Sequence, residues 1–432
     1  MKHLQSLIPK LSLSVVDQVL NSGGSFFIQV LLARWLSATE FGTFVVMFSL
    51  FLLVSCFSNG LILEPMSVVG ASKYSHSLRS YLSVVVRIHF VLHGALSSLF
   101  LSILFILYFC GLEAASDYIV VAMVSPFILF FWLARRACYL HGSPSLAVVG
   151  SLVYTILVFL ILLVANVRDW LSPFMAFLAM GISGAIAGLY LLYLNHSKIH
   201  ESSDLALDLS SHASQWRIWI EHYVFGKWIL MGAIPNWINK VSYIPLIGML
   251  LGLPQAGAFR ALQNLILPVQ QTLVALGVFF LPWYSKNKQT KSQNFIKNNG
   301  KFLVLINAVF SIAYLLPLYY WGEDILQWLY QRDYYSSFAH IIPIFVVVAL
   351  IGGLNQAWST LLKAVEWSYG VFQARCFGAI MSVFGGWTLI TYWGVGGAAL
   401  GLLVSSVVEV LVLYFVKNKK LENAQQESYA KV

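Results

Sequence analysis

Long apolar segments separated by short polar connections follow one another along the whole chain. We predict twelve membrane spans, at residues 13–36, 40–63, 81–110, 117–134, 145–166, 171–194, 222–251, 255–281, 301–321, 338–361, 369–393 and 395–416. Each is close to or above the roughly 20 residues that a helix needs to cross a bilayer. We expect helices because every backbone amide in a bilayer must be paired, and the alternation typical of a membrane β-barrel is missing. The pattern therefore predicts an all-α integral membrane protein.

The composition excludes a soluble globular protein. Of the 432 residues, 59% are hydrophobic and 10% are charged, whereas a soluble domain carries about a quarter charged residues. The four cysteines lie far apart and show no C-x-x-C spacing, so neither a zinc site nor a disulfide framework is predicted. We expect no catalytic residue, no cofactor and no metal. The polar segment Met1–Lys10 runs into the first span without an A-x-A site, so no cleaved signal peptide is expected.

The distribution of lysine and arginine predicts the orientation. With the N-terminus in the cytoplasm, 18 of the 26 basic residues fall on the cytoplasmic side, and three, Arg34, Arg168 and Arg332, fall outside. This asymmetry is the positive-inside bias of membrane proteins. The net charge of +9 therefore indicates topology and not nucleic-acid binding, and we expect both termini in the cytoplasm.

The spans form two halves that resemble each other. The polar segment 196–221 predicts a cytoplasmic linker between an N-terminal six-helix lobe, 1–195, and a C-terminal six-helix lobe, 222–417, followed by a cytoplasmic tail, 418–432. Phe41-Gly42-Thr43-Phe44 after span 1 matches Ala256-Gly257-Ala258-Phe259 after span 7, at an offset of 215 residues. Because six is an even number of spans, both halves enter the membrane from the same side. The prediction is a parallel repeat about an axis along the membrane normal.

Local features fit helices that begin at these repeated turns. Ser37 and Glu40 have the spacing of a capping box at the start of span 2. Pro254 occupies the corresponding position before span 8, where a first-turn proline is tolerated.

Polar residues gather on one face of three spans. They are Ser14, Gln18, Ser22, Ser25 and Gln29 in span 1, with Asp17 and Asn21 beside them; Gly232, Asn236, Lys240 and Tyr243 in span 7, with Asn239 adjacent; and Arg260, Gln263, Asn264, Gln270 and Gln271 in span 8. Single residues of this kind often join helices by hydrogen bonds. Three whole stripes favour a water-filled cavity.

The charge balance of the spans is positive. Lys240 and Arg260 lie well inside their spans, whereas Lys227, Arg87 and Arg375 lie nearer span ends, from which long basic side chains reach the headgroups. A charge at the bilayer centre costs about 2.5–3.5 kcal/mol on insertion scales, so such residues face protein or water. A net positive cavity suits an anionic ligand such as a phosphate or pyrophosphate.

One histidine pair could carry different chemistry. His89 and His93 lie four residues apart on span 3 and could bind a proton or a metal. No third ligand is evident in the sequence, so we favour a helix-packing role for both.

Three motifs support a resemblance to a known family. Phe41-Gly42 opens span 2, Gly394–Ala399 opens span 12, and the Arg-Arg-Ala-Cys-Tyr segment Arg135–Tyr139 follows span 4. With twelve spans in two parallel halves, these motifs resemble the polysaccharide-unit (O-antigen-type) flippases. That family belongs to the multidrug/oligosaccharidyl-lipid/polysaccharide exporter superfamily. The resemblance covers the whole chain.

The resemblance implies a fold, a cargo and a place for the polar residues. Two six-helix lobes would surround a central cavity lined by spans 1, 2, 7 and 8, and a lipid-linked oligosaccharide would be flipped from the inner to the outer leaflet of a bacterial plasma membrane. The substrate-binding candidates are Lys240 and Arg260 for the pyrophosphate, Arg34 at the outer mouth, and Gln18, Asn21, Ser25, Asn236 and Asn264 along the cavity. Asp17 and Glu409 are candidates for ion coupling. The expected partners are the lipid-linked saccharide, membrane lipids and polysaccharide polymerase machinery.

Two other functions fit parts of the sequence. A multidrug or cation exporter of the same fold would rest on acids facing the cavity, for which Asp17 and Glu409 are the candidates. A membrane polymerase or ligase of lipid-linked sugars would need a large outer loop. The longest predicted outer loop, 322–337, carries Asp324 and Asp333 but is also typical of an ordinary solvated loop.

Overall fold

A computed structural model describes residues 2–111, 113–199, 212–287, 293–364 and 367–429. The chain divides into two compact units, an N-terminal unit, Met1–Ala233, and a C-terminal unit, Ile234–Val432. Of the predicted linker 196–221, residues 200–211 lie outside the described part of the chain. A helix begins inside the linker at His212, and the boundary between the units falls within this helix.

The N-terminal unit contains six long helices and most of a seventh. They are α1 (Lys2–Trp35), α2 (Ala38–Ser58), α3 (Leu78–Phe109), α4 (Ile119–Leu140), α5 (Pro144–Val167), α6 (Pro173–Ile199) and α7 (His212–Lys240), the last up to Ala233. The path of α2 continues through two π-helical segments, Asn59–Leu63 and Met66–Gly70, to a final turn at Ala71–Lys73. The predicted capping box is confirmed: the Glu40 N–H donates to the Ser37 hydroxyl at 3.3 Å, and the Ser37 N–H donates to the Glu40 carboxylate at 2.9 Å.

The C-terminal unit contains the end of α7 and five further helices. They are α8 (Tyr243–Leu250), α9 (Leu253–Asn287), α10 (Gln293–Tyr330), α11 (Ile342–Ala364) and α12 (Ser368–Tyr429). Predicted spans 11 and 12 are the two arms of α12, which bends at Gly394, where φ is +60° and ψ is −137°. Only glycine adopts this conformation at little cost. The predicted spans fall on helices, except that a turn at 241–242 divides span 7 between the end of α7 and α8. The described residues contain no strand, so the all-α prediction is confirmed.

By length and composition, eight helical stretches of the described residues can cross a membrane. They are Ala38–Lys73, Leu78–Phe109, Ala115–Leu140, Pro144–Val167, Pro173–Asn195, Lys301–Tyr330, Asp333–Lys363 and Ser368–Val416. The last of these holds both arms of α12. Helices α1, α7 and α9 are not among these eight stretches of the described residues. They are the three helices in which the sequence predicts polar stripes.

Glycines allow close approach of backbones at two places that shape these units. A Cβ at Gly184 of α6 would lie 2.8 Å from the Phe127 carbonyl oxygen of α4. A Cβ at Gly397 would lie 1.9 Å from the Leu389 carbonyl oxygen, so the two arms of α12 touch just beyond their bend. Helices in membranes pack through such small residues because dispersion contacts replace the hydrophobic effect.

The same order of helix contacts occurs in both units. In the N-terminal unit α1 packs against α5, where a Cβ at Gly24 would lie 2.8 Å from the Thr155 hydroxyl, and α4 packs against α6. In the C-terminal unit the end of α7 meets the first arm of α12, where a Cβ at Gly378 would lie 2.6 Å from the Asn239 amide nitrogen. Helix α11 also packs against α12. This order is what a repeated six-helix half requires.

The start of α7 is fastened to the end of the α2 path. Lys73 Nζ lies 3.1 Å from a Glu221 carboxylate oxygen, and the Tyr74 hydroxyl donates to the other oxygen at 3.2 Å. Burial and the neighbouring Glu221 carboxylate raise the pKa of Tyr74, so its hydroxyl remains a donor. A Cβ at Gly226 would lie 2.2 Å from the Gly60 carbonyl oxygen, so the two backbones touch. The first part of α7 is therefore a packed element of the N-terminal unit.

The prediction of an outer loop over 322–337 is wrong for most of its length. Helix α10 continues to Tyr330 beyond a local break at Trp321, and Asp333–Ser336 forms one further helical turn. Glu323 and Asp324 lie on the exposed side of this helical extension. Aromatic residues such as Tyr330, which is fully buried, anchor the extension to the unit.

Candidate functional site

A buried carboxylate is the centre of a polar cluster in the N-terminal unit. Asp17 of α1 is 1% exposed and accepts a hydrogen bond from the Tyr139 hydroxyl of α4. The Ser151 hydroxyl of α5 donates to the other carboxylate oxygen at 2.5 Å. Arg135 Nη1 lies 3.6 Å from the oxygen that accepts from Tyr139. Two hydroxyl donors and a cation compensate a charge that would be costly in an apolar interior. The arrangement holds one carboxylate, the kind of group that can exchange a proton or a small cation.

A second acid lies beside this cluster on the irregular part of the α2 path. Glu64 sits between the two π-helical segments, and Arg136 Nη2 lies 2.6 Å from its carboxylate. Arg136 Nε also donates to the Ser67 hydroxyl at 3.0 Å. The adjacent residues Arg135 and Arg136 thus bind two different acids on two different helices. π-Helical turns occur often at functional sites.

The C-terminal unit contains its own buried carboxylate, on the second arm of α12. Glu409 is 2% exposed, and the Asn239 side-chain amide of α7 donates to it at 2.9 Å. Asn239 is oriented in turn by Ser382, whose hydroxyl donates to the Asn239 amide oxygen at 3.0 Å. The three side chains connect α7 with both arms of α12.

Two cations interact electrostatically with this carboxylate. Lys240 follows Asn239 in the chain, and both Lys240 and Arg375 interact electrostatically with Glu409. Lys240 is exposed and Arg375 is half-buried, whereas Glu409 is enclosed. In the C-terminal cluster the two cationic residues are therefore more exposed than the acid with which they interact.

The structure places Arg260 in a different environment from Lys240, although the sequence names both as candidates for the pyrophosphate. Arg260 is 8% exposed, and its guanidinium donates to the Gln263 amide oxygen at 3.5 Å. The Gln263 amide nitrogen donates to the Lys240 backbone oxygen at 3.3 Å. Asn264 is fully buried and donates to the Tyr330 hydroxyl at 3.4 Å. The two predicted cations thus share Gln263, but Lys240 is exposed and Arg260 lies within the packed unit.

The remaining predicted substrate-binding residues have mixed environments. Gln18 is exposed and donates to the Ser22 hydroxyl at 3.1 Å on its own helix. Half-buried positions are held by Asn21, Ser25, Arg34 and Asn236. The Gln29 amide donates to the Ser25 carbonyl oxygen at 3.3 Å. The predicted stripe of α1 therefore has a buried edge at Asp17 and Gln29 and an accessible edge at Gln18.

The histidine pair lies inside the N-terminal unit. His89 and His93 are fully buried with ring centroids 4.4 Å apart, and His89 Nε2 is 2.9 Å from the Pro126 carbonyl oxygen. Within the described residues, no group of three or more His, Cys, Asp or Glu side chains could hold a metal ion. The contact with Pro126 supports the helix-packing role.

Sequence reasoning missed several residues that the structure brings to these clusters, among them Ser151 and Ser382. Arg135 and Tyr139 meet Asp17, although the sequence indicates only that the Arg135–Tyr139 segment follows span 4. Arg375 was predicted to extend towards the headgroups, whereas it lies near Glu409. Only the two consecutive arginines, beside an otherwise apolar span, distinguish this segment in the sequence.

Known structures show what fold these helices form. No protein-family model matches the chain, and no curated protein is detectably similar in sequence. A multidrug resistance MATE family transporter of the MOP superfamily, in its inward-facing conformation, aligns with a TM-score of 0.73 and 12% identity over 97% of this chain and 99% of its own. The outward-facing conformation of a transporter of this description aligns with a TM-score of 0.69 and 12% identity, over 96% of each chain.

A flippase shares the same architecture. The lipid II flippase MurJ, in an inward closed conformation, aligns with a TM-score of 0.69 and 13% identity over 95% of this chain and 87% of its own. At these identities the likeness concerns the fold alone. The chain is a multi-pass membrane protein with the two-lobe fold of these transporters, and the fold predicted from the sequence is confirmed.

Proposed function

We propose that this protein is a flippase that moves a lipid-linked oligosaccharide from the inner to the outer leaflet by binding its pyrophosphate. The observation that carries the proposal is the exposed residue Lys240, with the half-buried Arg375 nearby, in an apolar helical unit. Cations that remain accessible in such surroundings are suited to an anionic headgroup. A lipid flippase with the same fold supports a lipid-linked cargo.

The proposed movement is alternating access. The headgroup enters from the cytoplasmic side, its pyrophosphate pairs with Lys240, and the protein then opens outward while the lipid tail stays in the bilayer. Sheltering the polar end removes the cost of drawing unpaired polar groups through hydrocarbon. The same fold is known in inward-facing and outward-facing conformations, which supports this cycle.

The test is flipping of a fluorescent prenyl-diphosphate-linked saccharide by the purified protein in lipid vesicles. Lys240→Gln should lower the flipping rate at least about tenfold, equivalent to about 1.4 kcal/mol. Lys227→Gln is the matched control, because Lys227 lies on the same helix but stacks near the Trp228 ring at 5.4 Å. Equal rates for wild type and Lys240→Gln would refute the site.

Cation-coupled export of drugs is the second candidate, and the Asp17 cluster favours it. A buried carboxylate with two hydroxyl donors can bind and release a proton as the protein changes conformation. Uptake of a cationic dye into vesicles, driven by a proton or sodium gradient, tests this function. Uptake that disappears in Asp17→Asn, together with no flipping of the lipid-linked saccharide by wild type, would select the exporter.

A further inference from the structure

The carboxylate of Glu409 is held in place by neutral neighbours. The Asn239 amide that donates to it at 2.9 Å receives a hydrogen bond from Ser382 at 3.0 Å. A Cβ at Gly378 would lie 2.6 Å from the Asn239 amide nitrogen, so Asn239 has little room to move. Glu409, at 2% exposure, is the fixed member of the C-terminal cluster.

The two cationic residues expose more surface than the acid does. Arg375, Gly378 and Ser382 follow the spacing of one helical face, so Arg375 lies one turn from the position that contacts Asn239. Lys240 is the residue after Asn239. Lys240 and Arg375 each interact with Glu409 and also with one another, and both expose more surface than Glu409 does.

We propose that Glu409 is a built-in counter-anion for Lys240 and Arg375, which a diphosphate headgroup displaces when it binds. This inference rests on the proposed function, because it assigns the headgroup to the same cations. Without ligand, one buried carboxylate offsets two cations and leaves a net charge of about one unit. A diphosphate draws the two cations towards itself, while the carboxylate remains bound to Asn239 and draws them back on release.

This role makes Glu409 a positioning residue, and it predicts the direction in which ligand affinity changes when Glu409 is replaced. A merely structural acid would leave ligand affinity unchanged or weaken it when replaced. A competing counter-anion must do the opposite, because its removal leaves both cations uncompensated for the ligand. Release would then be slower, so turnover should fall although binding becomes tighter.

The experiment measures binding of a prenyl diphosphate in mixed micelles to the full chain. Glu409→Gln keeps an oxygen that can accept from Asn239 and should lower the dissociation constant about tenfold. Arg375→Gln should raise the constant, and Lys240→Gln/Glu409→Gln should return it to within about threefold of wild type. Inorganic pyrophosphate, added as a competitor, should displace the lipid. Unchanged or weaker binding by Glu409→Gln, or no competition by pyrophosphate, would overturn the inference.

Two further measurements keep the outcome clear. If Glu409→Gln does not yield folded protein, the double variant must bind tighter than Lys240→Gln alone, and equal binding would overturn the inference. Flipping of the fluorescent saccharide lipid is measured in parallel. Tighter binding by Glu409→Gln without flipping by wild type would refute the proposed function but support the role of Glu409 as a counter-anion. Flipping by wild type together with unchanged affinity in Glu409→Gln would overturn the counter-anion role and leave the proposed function.

Discussion

Each of the two units buries one carboxylate, but the polar groups around the two carboxylates are arranged in opposite ways. In the N-terminal unit Asp17 is enclosed by two hydroxyl groups and Arg135, so the acid is the member that receives every contact. In the C-terminal unit the Asn239 amide donates to Glu409, while Lys240 is accessible. In the first cluster the acid is buried and its partners enclose it, whereas in the second cluster the acid is buried and a neighbouring cationic residue is exposed.

This difference arises from a few substitutions on a shared helix arrangement. Gly24 and Asn239 lie 215 residues apart and occupy the corresponding helix contacts of the two units. A glycine at the first position lets α1 lie directly on Thr155, whereas the amide at the second reaches Glu409. Ser25 and Lys240, one residue later, differ by a full charge. A repeated scaffold can therefore hold an acid-centred site and a cation-centred site.

Replacing Asp17 should have the largest effect on stability. Asp17→Ala leaves Arg135 in an apolar interior without this acid, which costs about 3–5 kcal/mol for a broken buried ion pair. Asp17→Asn retains an oxygen for the Tyr139 and Ser151 hydroxyls and should lose less. Denaturant unfolding of the purified protein in detergent measures both. Equal losses for the two variants would contradict a closed, acid-centred cluster.

Removing one donor from this cluster should have the next largest effect. Ser151→Ala deletes a hydroxyl that donates to Asp17 at 2.5 Å, and hydrogen bonds to charged groups contribute about 1.5–3 kcal/mol. The unfolding free energy should fall by this amount in the same assay. As a control, Ser98→Ala removes a hydroxyl that donates only to the Gly94 carbonyl on an exposed helical face. A loss for Ser151→Ala no larger than that control would show that Asp17 does not depend on Ser151.

The two glycines at the corresponding helix contacts provide a matched pair. Gly378→Ala and Gly24→Ala should each cost about 1–3 kcal/mol through overpacking. Their binding effects should differ, because the new methyl group at 378 displaces Asn239 from Glu409, whereas that at 24 displaces only Thr155. Prenyl diphosphate affinity should change in Gly378→Ala alone. A similar change in Gly24→Ala would show that general packing, and not the Glu409 contact, controls binding.

The smallest effect is expected for Ser382. Ser382→Ala removes a neutral hydrogen bond of 3.0 Å to Asn239, for which about 0.5–1.5 kcal/mol is typical. The loss in unfolding free energy should therefore be smaller than that for Ser151→Ala. The reverse order would mean that the C-terminal carboxylate, and not Asp17, is the more tightly held acid.

The helices and their polar stripes could be predicted from the sequence because the bilayer restricts the possibilities so strongly. Apolar length determines a span, backbone pairing requires a helix, and the capping box at Ser37 and Glu40 marks where α2 begins. The prediction over 322–337 was wrong because local composition does not distinguish an exposed helical extension from a loop. Burial of Tyr330 at the end of α10 is a tertiary contact.

The sequence by itself determined the class of protein, the twelve helical spans and the presence of ionisable groups inside them. Only the tertiary structure decided which charges meet: Asp17 with Arg135 across more than a hundred residues, and Glu409 with Asn239 from another helix. It also decided that Arg260 is enclosed while Lys240 stays accessible. The physical reason is that helical periodicity specifies which side chains share a face, whereas the neighbour of that face depends on how distant helices pack.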